Sequence, residues 1–139
     1  MGRVRAATTV IAVDTNLLVR YLVEDDPAQT DRAESVLRSG AVLVPNTVLL
    51  ETAWVLRTGY GFDRAAIADG ITKLLGLRGV RAEDRVMAGQ ALDWYARGLD
   101  FADALHLASS TQAEAFATFD RALQRKARGL AGTVPVVAP

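Results

Sequence analysis

Cysteine is missing from this chain of 139 residues, histidine occurs once, at His106, and lysine twice, at Lys73 and Lys126. Without thiols there are no disulfides, no thiolate metal sites and no cysteine nucleophile, a usage that suits a reducing compartment. A cytoplasmic location is therefore the expectation. No apolar run approaches the roughly 18 to 20 residues of a membrane span, so no membrane association is expected. The opening MGRVRAATTV is basic, but its apolar stretch is broken at Asp14 and no cleavage site follows, which argues against a signal peptide. A surplus of charge is also lacking. Sixteen acids balance sixteen bases, and the total makes no electrostatic case for a nucleic-acid partner. Fourteen of the bases are arginine; this suits bidentate recognition of phosphate or carboxylate, although GC-rich coding produces the same bias.

What is present is patterned. Apolar runs of strand length stand at 10–13 (VIAV), 41–44 (AVLV), 115–119 (AFATF) and 134–137 (VPVV), with helical periodicity between them. Strands alternating with helices predict an α/β domain with a mainly parallel sheet covered on both faces. Helices are expected near 16–23, 28–38, 47–58, 64–75, 83–97, 101–113 and 121–128, with Pro27 in a first turn and Gly40, Gly59, Gly76, Gly98 and Gly129 at helix ends. About seventy residues of mainly helical pattern separate the second and third of these strands, which predicts a helical arm; a short VRA at 80–82 is a candidate edge strand. No repeat, linker or low-complexity segment divides the chain. One domain, 1–139, is expected, with residues 1–9 and the last two loosely ordered.

Two of the strand-like runs end on an acid: AVDTN at Asp14 and FATFDR at Asp120. In open parallel sheets, functional groups gather at the carboxyl ends of the strands. A third acid, Asp103, lies on the first turn of DFADALHLASS. Each has a structural reading. Asp14 and Asp120 suit N-caps, Asp100 caps its helix, and Asp103 at the third helical position favours the helix dipole. Glu51, in PNTVLLETAWVLRTGYG, is different. With Thr47 as N-cap it lies beyond the first turn, among Val48, Trp54 and Val55. It then either pairs with Arg57 or another base, snorkels to the edge of that surface, or contributes to an acidic pocket.

Four carboxylates in one pocket repel: two unit charges 4 Å apart cost roughly 4 kcal/mol at an effective dielectric near 20. Such a cluster requires a cation or raised pKa values. All-oxygen ligands suit Mg²⁺ or Mn²⁺ rather than zinc. A divalent ion held this way activates water and offsets the charge that develops as a phosphodiester is cleaved, so metal-dependent phosphoryl hydrolysis is the chemistry inferred.

The ordered set VDTNLLVRYLVEDDP, VLLETAWVLRTGYG, GLDFADALHLA and FATFDRAL resembles the successive motifs of PIN-domain ribonucleases, specifically the VapC toxins of bacterial toxin–antitoxin modules, from about residue 10 to residue 137. The resemblance implies a three-layer α/β/α fold with a central, mainly parallel sheet. It also implies an acidic Mg²⁺ or Mn²⁺ site formed by Asp14, Glu51, Asp103 and Asp120, all four of the family's positions being acidic here. On that basis Asp14, Asp103 and Asp120 are the metal ligands, and Glu51 contacts a second ion or a bridging water, or orients the nucleophile. Asn16 and Thr118 support the neighbouring acids, or form local turns. RNA is the implied substrate, and a cognate VapB-like antitoxin and a second copy of the chain are the implied partners. The rival reading is a catalytically silent PIN-like module that binds protein, with its acids serving as caps. His106 is read as a packed or edge residue, and Trp54, Trp94 and Tyr95 as packing. Arg20, Arg57 and the basic helix RALQRKAR are either phosphate contacts or a solvated face.

Overall fold

A computed structural model describes residues 9–139, so the expected loose order of the first nine residues falls, Thr9 apart, outside the described residues. The chain forms two compact units, Met1–Glu83 and Asp84–Pro139. Among the described residues every strand pairing is parallel, as the alternation of strands and helices predicts.

The first unit runs β1 (Val10–Ala12), α1 (Thr15–Val23), α2 (Pro27–Leu37), β2 (Ala41–Val44), α3 (Asn46–Tyr60), α4 (Arg64–Leu75) and β3 (Val80–Ala82). Its sheet has the order β1-β2-β3, with Val10 opposite Ala41 and Val42 opposite Val80. The 80–82 segment is thus a strand. The long helical stretch expected after the second strand is divided by it, and α3 with α4 forms the connection from β2 to β3. The alternation Val-Arg-Ala places Val80 and Ala82 inward and Arg81 outward. Gly79, just before β3, has φ +82°, and a Cβ there would meet the Gly40 carbonyl oxygen at 1.6 Å, so only glycine permits the turn. Its carbonyl in turn accepts from the Val42 amide at 2.7 Å. Leu18, Leu37, Val44, Leu49, Leu56, Ile67, Ile71 and Leu74 are buried in this unit.

The second unit runs α5 (Arg85–Ala96), α6 (Phe101–Ala108), β4 (Phe116–Ala117), α7 (Arg121–Ala127) and β5 (Val136–Val137), with β4 parallel to β5. Trp94 is buried and its indole N–H donates to the Ala131 carbonyl at 3.2 Å. Tyr95 meets Phe101 edge to face at 5.5 Å between ring centroids. Both residues behave as the packing groups expected, whereas Trp54, on α3, is 58% exposed and is not one. The helix expected to reach residue 113 ends at Ala108, where the Ser109 and Ser110 hydroxyls bond back to the Leu105 and His106 carbonyls, each at 2.7 Å. The last strand begins after Pro135, whose carbonyl still accepts from Phe116 at 2.8 Å. No helix among the described residues is long and apolar enough to cross a membrane.

Candidate functional site

In the first unit Asp14 follows directly on the β1–β2 ladder, whose final bond is Val13 N–H to the Leu43 carbonyl at 3.2 Å. It is the N-cap of α1: its Oδ1 accepts from the Leu17 amide at 3.1 Å. The cap uses one oxygen, and the other takes no hydrogen bond among the described residues. The next residue, Thr15, is buried and donates its hydroxyl to Glu51 Oε1 at 2.6 Å. That bond ties the start of α1 to the body of α3. Asp14, Thr15, Asn16, Arg20, Glu51 and Tyr60 line one open pocket of about 320 Å³.

Glu51 departs from expectation in two respects. It is exposed, as is Trp54 beside it on the helix, so it does not lie on a buried apolar surface. Nor is Thr47 the cap of α3. Pro45 occupies that position with φ −62° and offers no side-chain bond. The Glu83 carboxylate instead accepts from the Asn46 amide at 3.0 Å, bringing a negative charge to the helix start from beyond β3.

Asn16 Oδ1 receives a long bond of 3.4 Å from Arg20 Nε. Arg20 is held further by Asp25 at 2.8 Å and by the Tyr60 hydroxyl at 3.0 Å. Three of its five N–H donors are thereby committed. Thr15, Arg20 and Tyr60 therefore belong to the surroundings of the acid pair; Thr15 was signalled by its place inside DTN, and Tyr60 by nothing in the sequence.

In the second unit Asp120 follows the β4–β5 ladder just as Asp14 follows its own, after the Thr118 amide bonds to the Val137 carbonyl at 2.9 Å. Asp120 caps α7 by accepting from the Leu123 amide at 3.0 Å. Thr118 Oγ1 accepts from the Asp120 amide at 3.0 Å and its carbonyl accepts from Gln124 Nε2 at 2.7 Å, so Thr118 fixes the backbone that carries the acid. Asp100 caps α6, accepting from Ala102 at 3.1 Å.

Asp103 caps nothing. It is half-buried on the first turn of α6, and its carboxylate takes no hydrogen bond among the described residues. Burial pushes its pKa above the ordinary value, and the Asp100 and Asp120 charges push the same way, with His106 and Lys126 pulling partly back. His106 is exposed rather than packed. Burial and like charge thus both disfavour its ionised form, and no hydrogen bond among the described residues compensates.

Each unit thus brings together one pair from the four acids: Asp14 with Glu51 in a pocket, and Asp103 with Asp120 through their charges. Among the described residues, in neither unit are three His, Cys, Asp or Glu side chains close enough to hold an ion by themselves. The donor chemistry nevertheless suits a hard divalent cation. The available oxygens are carboxylate, there is no thiol, and the caps leave one oxygen of Asp14 and one of Asp120 without a hydrogen bond among the described residues.

Comparison with known protein families finds that the model of the PIN domain matches residues 11–129, most of the chain. No curated protein sequence matches it.

Proposed function

Since the chain belongs to the PIN-domain family, whose members are generally metal-dependent nucleases, we propose that it is a Mg²⁺- or Mn²⁺-dependent endoribonuclease, a VapC-type toxin of a type II toxin–antitoxin pair. The observation that carries this reading is Asp103, a half-buried carboxylate without a hydrogen bond among the described residues, repelled by Asp100 and Asp120. Asp14, Asp103 and Asp120 are the proposed metal ligands, and Glu51 completes the acidic set. When bound, the ion supplies the positive charge that activates water and offsets charge building on the phosphate.

The chain's own residues then have distinct roles. Asp14 and Asp120 point an oxygen from positions fixed by their caps. Glu51, steadied by the Thr15 hydroxyl, orients the attacking water and receives its proton. Asn16 and Thr118 hold the local geometry around Asp14 and Asp120. Hydrolysis by external water leaves a 5'-phosphate and a 3'-hydroxyl. A VapB-like antitoxin whose terminal segment covers the acids, and a homodimer, complete the proposal.

The silent-module alternative draws on the observed caps of Asp14 and Asp120. Glu51 and Asp103 cap no helix, which favours the enzyme. Cleavage of mixed RNA in Mg²⁺ or Mn²⁺, its loss in EDTA and in Asp103→Asn, and 5'-phosphate products are the expected results. Metal-independent cleavage, or 2',3'-cyclic phosphate ends, would overturn the proposal.

A further inference from the structure

A second opening adjoins Asp14. The facing sides of α1 and α2 enclose an open groove of about 500 Å³, with Asn16 and Arg20 on one wall, Gln29, Arg32 and Ser35 on the other, and Asp14 at its end. The walls are fixed to each other by the Thr30 hydroxyl, which donates to the Arg20 carbonyl at 3.1 Å. Residues 29, 32 and 36 fall at helical spacings of three and four, so they form one face of α2.

Among the described residues Arg32, like Arg85, Arg121, Arg125 and Lys126, lacks the salt bridge that several other helix bases make to their own helix. Arg38, Lys73 and Arg97 each follow an acid by four residues and bond to it, at 2.8, 3.1 and 3.2 Å. Arg32 has Ala28 at that place, and its remaining neighbours at three and four residues are Gln29, Ser35 and Val36. It is exposed and makes no ion pair among the described residues. Arg20, opposite, is already fastened to Asp25, Tyr60 and Asn16. Among the described residues the groove therefore offers one rigid cation, one uncommitted cation and three neutral hydrogen-bonding side chains, and Asp14 is the only acid in its lining.

We infer that this groove is the track of the RNA backbone leading away from the cleavage point, with Arg32 contacting a phosphate one or more nucleotides from the scissile bond. The inference rests on the nuclease reading for its direction, because the groove begins at Asp14. Arginine, amide and hydroxyl side chains along a backbone path position a nucleic acid without reading its bases. Arg32 is thus a substrate-positioning residue, not a catalytic one.

The test compares wild type, Arg32→Ala and Arg32→Lys by fluorescence anisotropy with a labelled single-stranded RNA in EDTA, and by steady-state cleavage in Mg²⁺. Arg32→Ala is expected to weaken RNA binding and raise KM by roughly tenfold, the worth of one charge-assisted contact, with kcat unchanged. It is also expected to lower the slope of log affinity against log salt by about 0.7, which Arg32→Lys restores. Wild-type binding and cleavage with Arg32→Ala indistinguishable in KM and salt slope would overturn the groove and leave the nuclease intact. Lost RNA affinity in Arg32→Ala beside a wild type that never cleaves would keep the groove and sink the nuclease. Failure of the wild type to bind RNA would overturn the inference, as would competition by polyglutamate stronger than by RNA, which would reassign the groove to an acidic protein segment.

Discussion

Asp120 is the acid at which capping and metal binding are most cleanly separated. It caps the short helix α7 (Arg121–Ala127), whose Leu123 and Ala127 are buried. Asparagine keeps an oxygen where Oδ1 accepts from the Leu123 amide at 3.0 Å, so Asp120→Asn should change stability by only a few tenths of a kcal/mol, roughly the spread among good caps. Alanine removes the cap and should cost about 1 kcal/mol. At this chain length that is about 4 °C in Tm. Loss of the negative charge near Asp103 offsets part of that cost in both variants. Added metal reverses the ranking. A ligand at one hundred times its Kd stabilises by about 2.7 kcal/mol, or roughly 10 °C here. The wild type should show that shift in Mn²⁺, and both variants should lose most of it. Thermal unfolding of the three proteins in EDTA and across a Mn²⁺ series is the assay. An Asp120→Asn protein with the full Mn²⁺ shift would refute a ligand role and leave Asp120 as a cap; one as unstable in EDTA as the alanine variant would refute the cap reasoning.

Other perturbations have equally definite outcomes. Because the Asp103 pKa is raised in the folded state, its favourable contribution is present at low pH and is lost as pH rises through that value. Asp103→Asn should therefore raise the Tm of the metal-free protein at pH 7 and flatten its decline between mildly acid and neutral pH; a lowered Tm at pH 7 would contradict this. Thr15→Val removes the 2.6 Å bond to Glu51 and should cost about 1 kcal/mol of stability while reducing kcat more than it alters KM, as steady-state cleavage would show. Gly79→Ala places a Cβ against the Gly40 carbonyl at φ +82° and should destabilise by about 2 kcal/mol or more, measured by urea unfolding.

Much of this was legible in the sequence, for identifiable reasons. Strand-end acids announce themselves because an apolar run stops on a carboxylate; Asp14 and Asp120 both follow the last bond of a parallel ladder. Their double aspect was legible too, since each does cap a helix. Periodicity misjudged α3. It assumes that apolar neighbours share a buried face, yet Trp54 is exposed, and Glu51 finds a hydroxyl 36 positions earlier in the chain instead of an apolar bed. The start of α3 was equally hidden, because its first amide is satisfied by Glu83, far away in sequence. Helix α6 stops at Ala108, short of residue 113, and apolar patterning does not mark the polar turn that follows it. Arg32 carried no motif at all. Its interest depends on what α1 places opposite it and on an acid that Ala28 does not provide.

The most direct test of the central claim is calorimetric titration of Mn²⁺ into EDTA-stripped protein, for the wild type, Asp14→Asn and Asp103→Asn. These acids belong to different units of the chain, and each Asn variant is expected to fold. Saturable Mn²⁺ binding by the wild type that is abolished or weakened at least about tenfold in both variants is the predicted result. Binding unchanged in either variant, or no binding by the wild type, would contradict the proposed ligand roles of Asp14 and Asp103 and with them the nuclease.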